Sequence, residues 1–447
     1  MGADPTHVCC RVEVGRLPPS VVSQLRSREV GFCERLEAAG LSVFLCKRPG
    51  RHMGTPPGKV MARWLSAAGQ SLMGRDQRPL CGVNSSHSPP YLSVVVGSCT
   101  PSYLPQRTPT PTDSPRRLEP MPPPVLFVTV DTEEDDWGRY DRRIPSVSNI
   151  GRLPAFQKLA DAYGVRPSYL VNWPVVSEPS SRAILRGLAE GAGCDFGTHI
   201  HPWNTPPFLE QPTPTNSMIC NLPASWVDQK VTALHRQIIE GLEVVPTSFR
   251  AGRWGFGPAV ATALVKLGYS VDSSVSPLID WTAEDGPDYG SAPDFAYRFT
   301  PSNPTEPRTD GELLEIPATV GFLGSRPELS KRLRRWASRP LPRRLRMVGV
   351  LDRTGWATKR WLSPELSTAN ELIALARARV KAGASFLNFT FHSPTLVPGL
   401  TPFARTGQDL DSFMSRIERF FEFARDEGFQ CQPLTRGPEA LNLRGGP

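Results

Sequence analysis

The rhythm of apolar and polar positions changes abruptly at Val125. From there Val-Leu-Phe-Val-Thr-Val is a short apolar run rich in β-branched residues, the pattern of a strand covered on both faces. Leu153, Phe156, Leu159, Ala160 and Tyr163 then recur at helical spacing, and Pro167–Val171 reads as the next strand. Further strands are predicted at Cys194–Ile200, Thr247–Ala251, Tyr269–Ser273, Leu313–Ile316 and Ser385–Phe391. Helices are predicted over Ala224–Leu242, in the stretch ending at Leu267, and from Leu410 to Ala424, the last opened by Asp409 and closed by Gly428. Strands alternating with helices imply a parallel β/α architecture. About seven such strands suit a barrel better than a small open sheet.

Before Val125 this rhythm is missing. Val21–Leu45 has room for one helix, and from Pro89 to Pro124 there are 11 prolines in 36 residues, which cannot sustain a backbone hydrogen-bond ladder. Residues 1–120 are therefore expected to be a largely disordered N-terminal arm, with the catalytic domain at 121–435 and a C-terminal tail at 436–447. Met121 precedes the first strand directly. The expectation is that the first 120 residues are dispensable or an over-extended reading of the gene, leaving a natural chain of 327 residues.

Charge and cysteine sharpen that division. The first 120 residues hold 15 Lys+Arg and 8 Asp+Glu, so most of the net charge of +8 lies there. A second basic block at 326–360 has 12 Lys+Arg against Glu328 and Asp352. The remainder is acidic, so a general nucleic-acid surface does not follow and nucleic acid is not an expected partner. The block at 326–360 is read either as a solvated insertion or as a face for an anionic glycan or a lipid surface, allowing peripheral membrane association. Six of the nine cysteines fall in the first 99 residues, and the scattered three beyond suit a reducing compartment. No apolar run is long enough to span a bilayer and no secretory pattern opens the chain, so a cytoplasmic location is expected.

In β/α barrels the chemistry sits at the C-terminal ends of the strands. There this sequence places Asp131 and Glu133, His199 and His201, Arg250, Asp272 and His392. In an extended segment residues i and i+2 point the same way, so His199 and His201 of Gly-Thr-His-Ile-His can face one metal. Imidazole nitrogens with a carboxylate suit zinc or another divalent ion. Asp131 and Glu133 share a face on the same ground, so one can bind metal while the other acts as a base. Arg250 can orient a carboxylate, and the glycines of Phe-Arg-Ala-Gly-Arg-Trp-Gly-Phe-Gly can let backbone N–H groups face an oxyanion. His235 lies mid-helix and is read as packed or solvated. Trp203, Trp254, Trp281 and Tyr289 can stack on sugar rings or serve the core.

Taken in order, Val-Thr-Val-Asp-Thr-Glu-Glu, Gly-Thr-His-Ile-His, Phe-Arg-Ala-Gly-Arg-Trp-Gly, Tyr-Ser-Val-Asp-Ser-Ser, Leu-Glu-Ile-Pro and Phe-Thr-Phe-His resemble the motifs of the polysaccharide deacetylase family. The resemblance covers about Val125 to Thr435, the region called the NodB homology domain of family 4 carbohydrate esterases. The variant is similar to the WalW-like branch of bacterial glycan clusters. The resemblance implies a distorted (β/α)7 barrel and a metal-dependent N-deacetylase. Water on the metal attacks the acetamide of an N-acetylated sugar or polysaccharide, releasing acetate and an amino sugar. It carries the base to Asp131, the ligands to Glu133, His199 and His201, the base-holding cation to Arg250, and the acid to His392, oriented by Asp272. The family's commonest pattern has adjacent aspartates and histidines at i, i+4. Here the acids are Asp131, Glu133 and Glu134, the histidines stand at i, i+2, and position 203 is Trp203. Glu134 or Asp131 therefore remain alternatives to Glu133 as the acidic ligand. Another metal-dependent amide hydrolase and a non-catalytic glycan-binding relative also stay open.

Overall fold

The computed structural model describes residues 11–14, 41–44, 123–135, 138, 140, 146–191, 193–324, 327–337, 339, 341, 347–354 and 356–443. The chain divides into two units, Met1–Arg117 and Leu118–Pro447. In the first, strands β1 (Arg11–Val14) and β2 (Leu41–Phe44) pair antiparallel. The end of the stretch given room for a helix is thus a strand. The rest of that stretch lies outside the described residues, as does the proline-rich run.

The second unit is built on a curled, mostly parallel sheet. Its strands are β3 (Val125–Thr132), β4 (Pro167–Val171), β5 (Asp195–Ile200), β6 (Ser248–Ala251), β7 (Val271–Asp272), β8 (Tyr297–Phe299), β9 (Leu313–Glu315) and β12 (Phe386–His392). They run in the order β12-β3-β4-β5-β6-β7-β9-β8, parallel throughout except for β8 at the edge. Helix α1 (Leu153–Ala162), then α2 (Trp173–Ser177) and α3 (Pro179–Glu190), then α4 (Ala224–Leu242) and α5 (Pro258–Lys266) fill the first four crossovers. The step from β7 to β9 has no long helix and makes the β8 excursion instead. No ladder joins β9 to β12, so the sheet is a half-barrel. Across the gap Thr319 N–H donates to Asn388 O, Leu362 N–H to Thr319 O, and Thr390 N–H to Leu362 O.

The segment between β9 and β12 carries a hairpin, β10 (Val320–Phe322) with β11 (Lys359–Trp361), enclosing α6 (Pro327–Ala337) and α7 (Met347–Arg353). Then come α8 (Ala369–Lys381), α9 (Gly407–Asp426), the short strand β13 (Gln430–Cys431) and α10 (Gly437–Ala440). The N-cap of α9 is Thr406, which forms a capping box with Asp409, so the helix opens three residues before the expected acid. Residues read as a tail pack on the core as far as Leu443, whose carbonyl accepts from Arg298 Nε at 2.8 Å.

Alternation along the strands sorts their side chains into two layers. Val128, Val130, Tyr169, Phe249, Phe389 and Phe391 face the helices in the main core. Val125, Phe127, Leu170, Val271, Leu314 and Phe386 face inward and plug the bottom of the half-barrel. Above that plug, the inward positions nearer the C-terminal ends are polar. They are the floor of the site.

Candidate active site and metal centre

The strand registers set the expected residues on one rim. His392 pairs with Asp131 between β12 and β3, and His199 with Arg250 between β5 and β6. Glu133 and His201 each lie just beyond a strand, but His201 keeps extended backbone (φ −116°, ψ 128°), so the two-residue alternation carries past the strand end. Glu133 Oε2 lies 2.8 Å from His201 Nε2 and 3.5 Å from His199 Nε2, and the two Nε2 atoms are 3.0 Å apart. This is the group of three buried ligand types able to hold a metal among the described residues. His199 Nδ1–H donates to Arg250 O at 3.1 Å, leaving the Nε2 lone pair for the shared point, as a metal-binding imidazole requires. The donor set of two nitrogens and a carboxylate oxygen fits zinc or a similar divalent ion. Burial alone would raise the Glu133 carboxyl, but the two histidines beside it hold it far below the usual carboxylate range.

Gly252 makes this geometry possible. A Cβ built there would stand 2.2 Å from His201 Nδ1, so any side chain displaces the ring. Its observed role is close approach to the His201 ring. Gly252→Ala is expected to weaken divalent-ion affinity by about 10–100-fold, the usual cost of disturbing a ligand's support. Calorimetric titration with zinc checks this, and unchanged affinity would show that the ring can move.

Glu134 is occupied elsewhere. Asn172 donates to one carboxylate oxygen, while Asn204 Nδ2 at 2.9 Å and Trp203 Nε1 at 3.4 Å donate to the other. Trp203 in turn lies against the His201 ring, with centroids 4.1 Å apart. Buried Lys230 donates to Pro202 O and Thr205 O at 2.9 and 2.6 Å and pins the segment that carries Trp203 and Asn204.

Arg250 lies under the rim with all five N–H donors engaged. Nη1 donates to Asp131 Oδ1 at 2.7 Å and to Thr390 Oγ1 at 2.9 Å. Nη2 donates to Thr129 Oγ1 and Ser273 Oγ, and Nε to Ser273 O, each at 2.9 Å. Burial would raise the Asp131 carboxyl, but Arg250, followed by His199 and His392, brings it below its ordinary value. Asp131 therefore stays a carboxylate, with its second oxygen 3.7 Å from His392 Nε2.

The orientation of His392 departs from expectation. Asp272 does not reach it. Ser273 faces inward to Arg250, so by alternation Asp272 points outward, where it pairs in register with Phe249 and Glu315. The residue that holds His392 is Glu365, from the loop after β11. His392 Nδ1–H donates to Glu365 Oε2 at 2.9 Å and its backbone N–H to Oε1 at 3.1 Å. Thr395 Oγ1 donates to Oε1 at 2.6 Å. Burial lowers the His392 imidazole, but Glu365, with Glu133 and Asp131 behind it, outweighs that and raises it to about 10. No periodicity marks Glu365 in the sequence. Thr129 and Thr390, by contrast, follow from counting back two residues from Asp131 and His392.

Asp272 and Glu315 form a separate buried acid pair, both pushed upward by burial, and Glu315 further by Asp272. The folded protein thus binds more protons than the unfolded chain above the ordinary carboxylate range of about 4. This contribution to stability is full at acid pH and lost as pH rises through the raised values. Asp272→Asn is expected to gain in Tm relative to the parent as pH rises from about 4 to 7. Melting curves of both proteins across that range check it; a constant difference would contradict the raised Asp272 carboxyl.

The rim opens into a cavity of about 510 Å³ lined by Tyr140, Trp203, Trp254, Trp281, Trp361 and Phe403 besides the polar groups. Trp254 and Arg253 adopt consecutive left-handed conformations (φ 60° and 53°), strained for non-glycine residues. The turn places Trp254 5.3 Å from both the Arg250 guanidinium and the Trp361 ring. Tyr289 is in the core and donates to Trp254 O, so it is not a sugar platform. His235 is packed as expected, 3.1 Å from the Tyr269 hydroxyl. No helix among the described residues is long and apolar enough to cross a membrane.

No protein-family profile and no curated protein matches the sequence. Among solved structures, a candidate polysaccharide deacetylase from Mycobacterium smegmatis is 15% identical with a TM-score of 0.42, over 72% of this chain and 92% of that one. A family 4 acetyl xylan esterase from Clostridium thermocellum, in complex with a cobalt ion, is 14% identical with a TM-score of 0.33, over 72% and 93%. A pseudoenzyme of the same esterase family from Bacillus anthracis is 8% identical with a TM-score of 0.33, over 70% and 65%. These three are polysaccharide deacetylase or family 4 esterase structures at low sequence identity, and a 4-alpha-glucanotransferase from Thermococcus litoralis is matched as well, 9% identical with a TM-score of 0.41.

Proposed function

We propose that the chain is a metal-dependent N-deacetylase acting on an N-acetylated sugar or polysaccharide, of the variant similar to the WalW-like branch. The carrying observation is the convergence of Glu133, His199 and His201 beside a buried Asp131–Arg250 pair, opposite a carboxylate-held His392. Glu133, His199 and His201 would hold a divalent ion, zinc or a relative, which supplies Lewis-acid activation of water and of the amide carbonyl. Asp131, kept ionised by Arg250, accepts the proton of the attacking water. His392, kept protonated by Glu365, donates to the departing amine nitrogen. Trp254, Trp281 and Trp361 offer flat apolar surface for a sugar ring at the cavity mouth. This reading leaves Asp272, on the outer side of the sheet, out of proton transfer, and leaves Glu134, which accepts from Asn172, Asn204 and Trp203, out of the ligand set.

His392→Ala is expected to keep bound metal and lose about 10²–10⁴-fold in kcat, the range for a lost general acid. Glu365→Gln is expected to give a smaller loss of the same kind. Glu365 raises the His392 pKa, so its removal moves the alkaline limb of the kcat profile to lower pH. Asp272→Asn should leave that limb in place. Acetate release against pH for the three variants, with metal content measured in each, separates these roles. An alkaline limb that moves in Asp272→Asn but not in Glu365→Gln would return the positioning role to Asp272. Acetate release from N-acetylated sugars tests the function itself. Metal binding with turnover only of simple amides would favour a different amide hydrolase, and binding of glycans without turnover a glycan-binding relative.

A further inference from the structure

The insertion between β10 and β11 has a face that the catalytic chemistry does not use. On α6, at 100° per residue, Leu329, Arg332, Arg335 and Trp336 fall on one side within about a third of a turn. The other side, with Ser330, Leu333 and Ala337, packs inward on Phe322 and Leu351. Leu329 and Trp336 remain 39% and 45% exposed, more than the core of a self-contained domain requires. Arg332 and Arg335 lie among them, with Arg339 following α6 and Arg353 ending α7. Among the described residues Arg332 and Arg335 make no ion pair, whereas Glu328, the acid on that face, is held by Lys331 at 3.0 Å. Asp352 is likewise taken, by Arg360 and Arg334.

We propose that this face of α6 docks on an anionic lipid bilayer. Unpaired arginines match a negative leaflet, and tryptophan with aliphatic side chains on the same helix face enters the headgroup–acyl boundary. Charge complementarity selects this occupant. A second copy docking through the same face would set Arg332 and Arg335 against their equals. A hydrated anionic polysaccharide would pair with the arginines but give Leu329 and Trp336 nothing apolar to bury against. The proposal is independent of the deacetylase chemistry.

The test is sedimentation of the full chain with vesicles of phosphatidylcholine, with and without phosphatidylserine, at low and high salt. Binding is expected to require phosphatidylserine and to weaken as salt rises. Each arginine near such a leaflet contributes roughly fivefold to partition, so Arg332→Gln with Arg335→Gln should lower it by roughly 25-fold. Trp336→Ala with Leu329→Ser should lower it at every salt concentration, whereas the arginine pair acts mainly at low salt. All these positions are exposed, and matched melting curves establish that the variants are folded. The proposal is overturned if the parent ignores phosphatidylserine, if the variants bind vesicles like the parent, or if heparin is retained while vesicles are not. Concentration-dependent dimerisation lost in Trp336→Ala, without vesicle binding, would overturn it in favour of a second copy.

Discussion

His201→Ala is expected to remove the bound divalent ion and to lower acetate release by about 10³-fold or more, since an ion in such a site is worth several kcal/mol in the transition state. His201 Nε2 lies within 3.0 Å of both other ligand atoms, closer to each than they are to one another, so its loss leaves only the 3.5 Å His199–Glu133 pair. His199→Ala should behave alike and also free the Arg250 carbonyl that its Nδ1–H occupies. The two variants should be equivalent in metal content, measured by elemental analysis after dialysis. Full occupancy in the double variant would show that the ion is held elsewhere.

The second large effect is on Arg250. Replacing it with leucine removes the cation facing a buried carboxylate and strips the acceptors of Thr129, Ser273 and Thr390 of their donor. Breaking such a pair typically costs about 3–5 kcal/mol, because the remaining charge is buried alone. Asp131 would then take up a proton near neutral pH, its burial no longer opposed, and stop serving as a base. Arg250→Lys keeps a charge but not the planar five-donor fork, and should recover only part of the stability and little of the turnover. Chemical denaturation with parallel acetate assays checks both. An Arg250→Leu protein of parental stability would contradict the buried network.

These effects turn on residues that differ in how far the sequence exposed them. Asp131, Glu133, His199, His201, Arg250 and His392 were legible because each stands at the end of a strongly patterned strand, and two-residue alternation says which way it points. The same alternation, applied at Ser273, would have turned Asp272 outward. The strand there is only two residues long, too short to set its own phase. Glu365 was not legible. It reaches His392 across 27 positions, from a loop whose course is fixed by Leu362 and Thr390 bridging the gap in the half-barrel. Gly252 was legible as a glycine but not in purpose, since its constraint is the His201 ring brought from another strand. The open side of the sheet was hidden for a similar reason. Strand patterns report which residues are covered, whereas closure depends on the length and packing of the β9–β12 connection.

The central claim is that Glu133, His199 and His201 hold an ion on which sugar deacetylation depends. Its most direct test is acetate release from an N-acetylated sugar oligomer by the full chain, before chelation, after chelation, and after return of one equivalent of zinc. Activity is expected to disappear with the ion and return with it in the parent, and zinc is expected to restore nothing to the His199→Ala, His201→Ala protein. Acetate release that survives complete metal removal, or its absence from a fully metal-loaded parent across N-acetylated sugars, would contradict it.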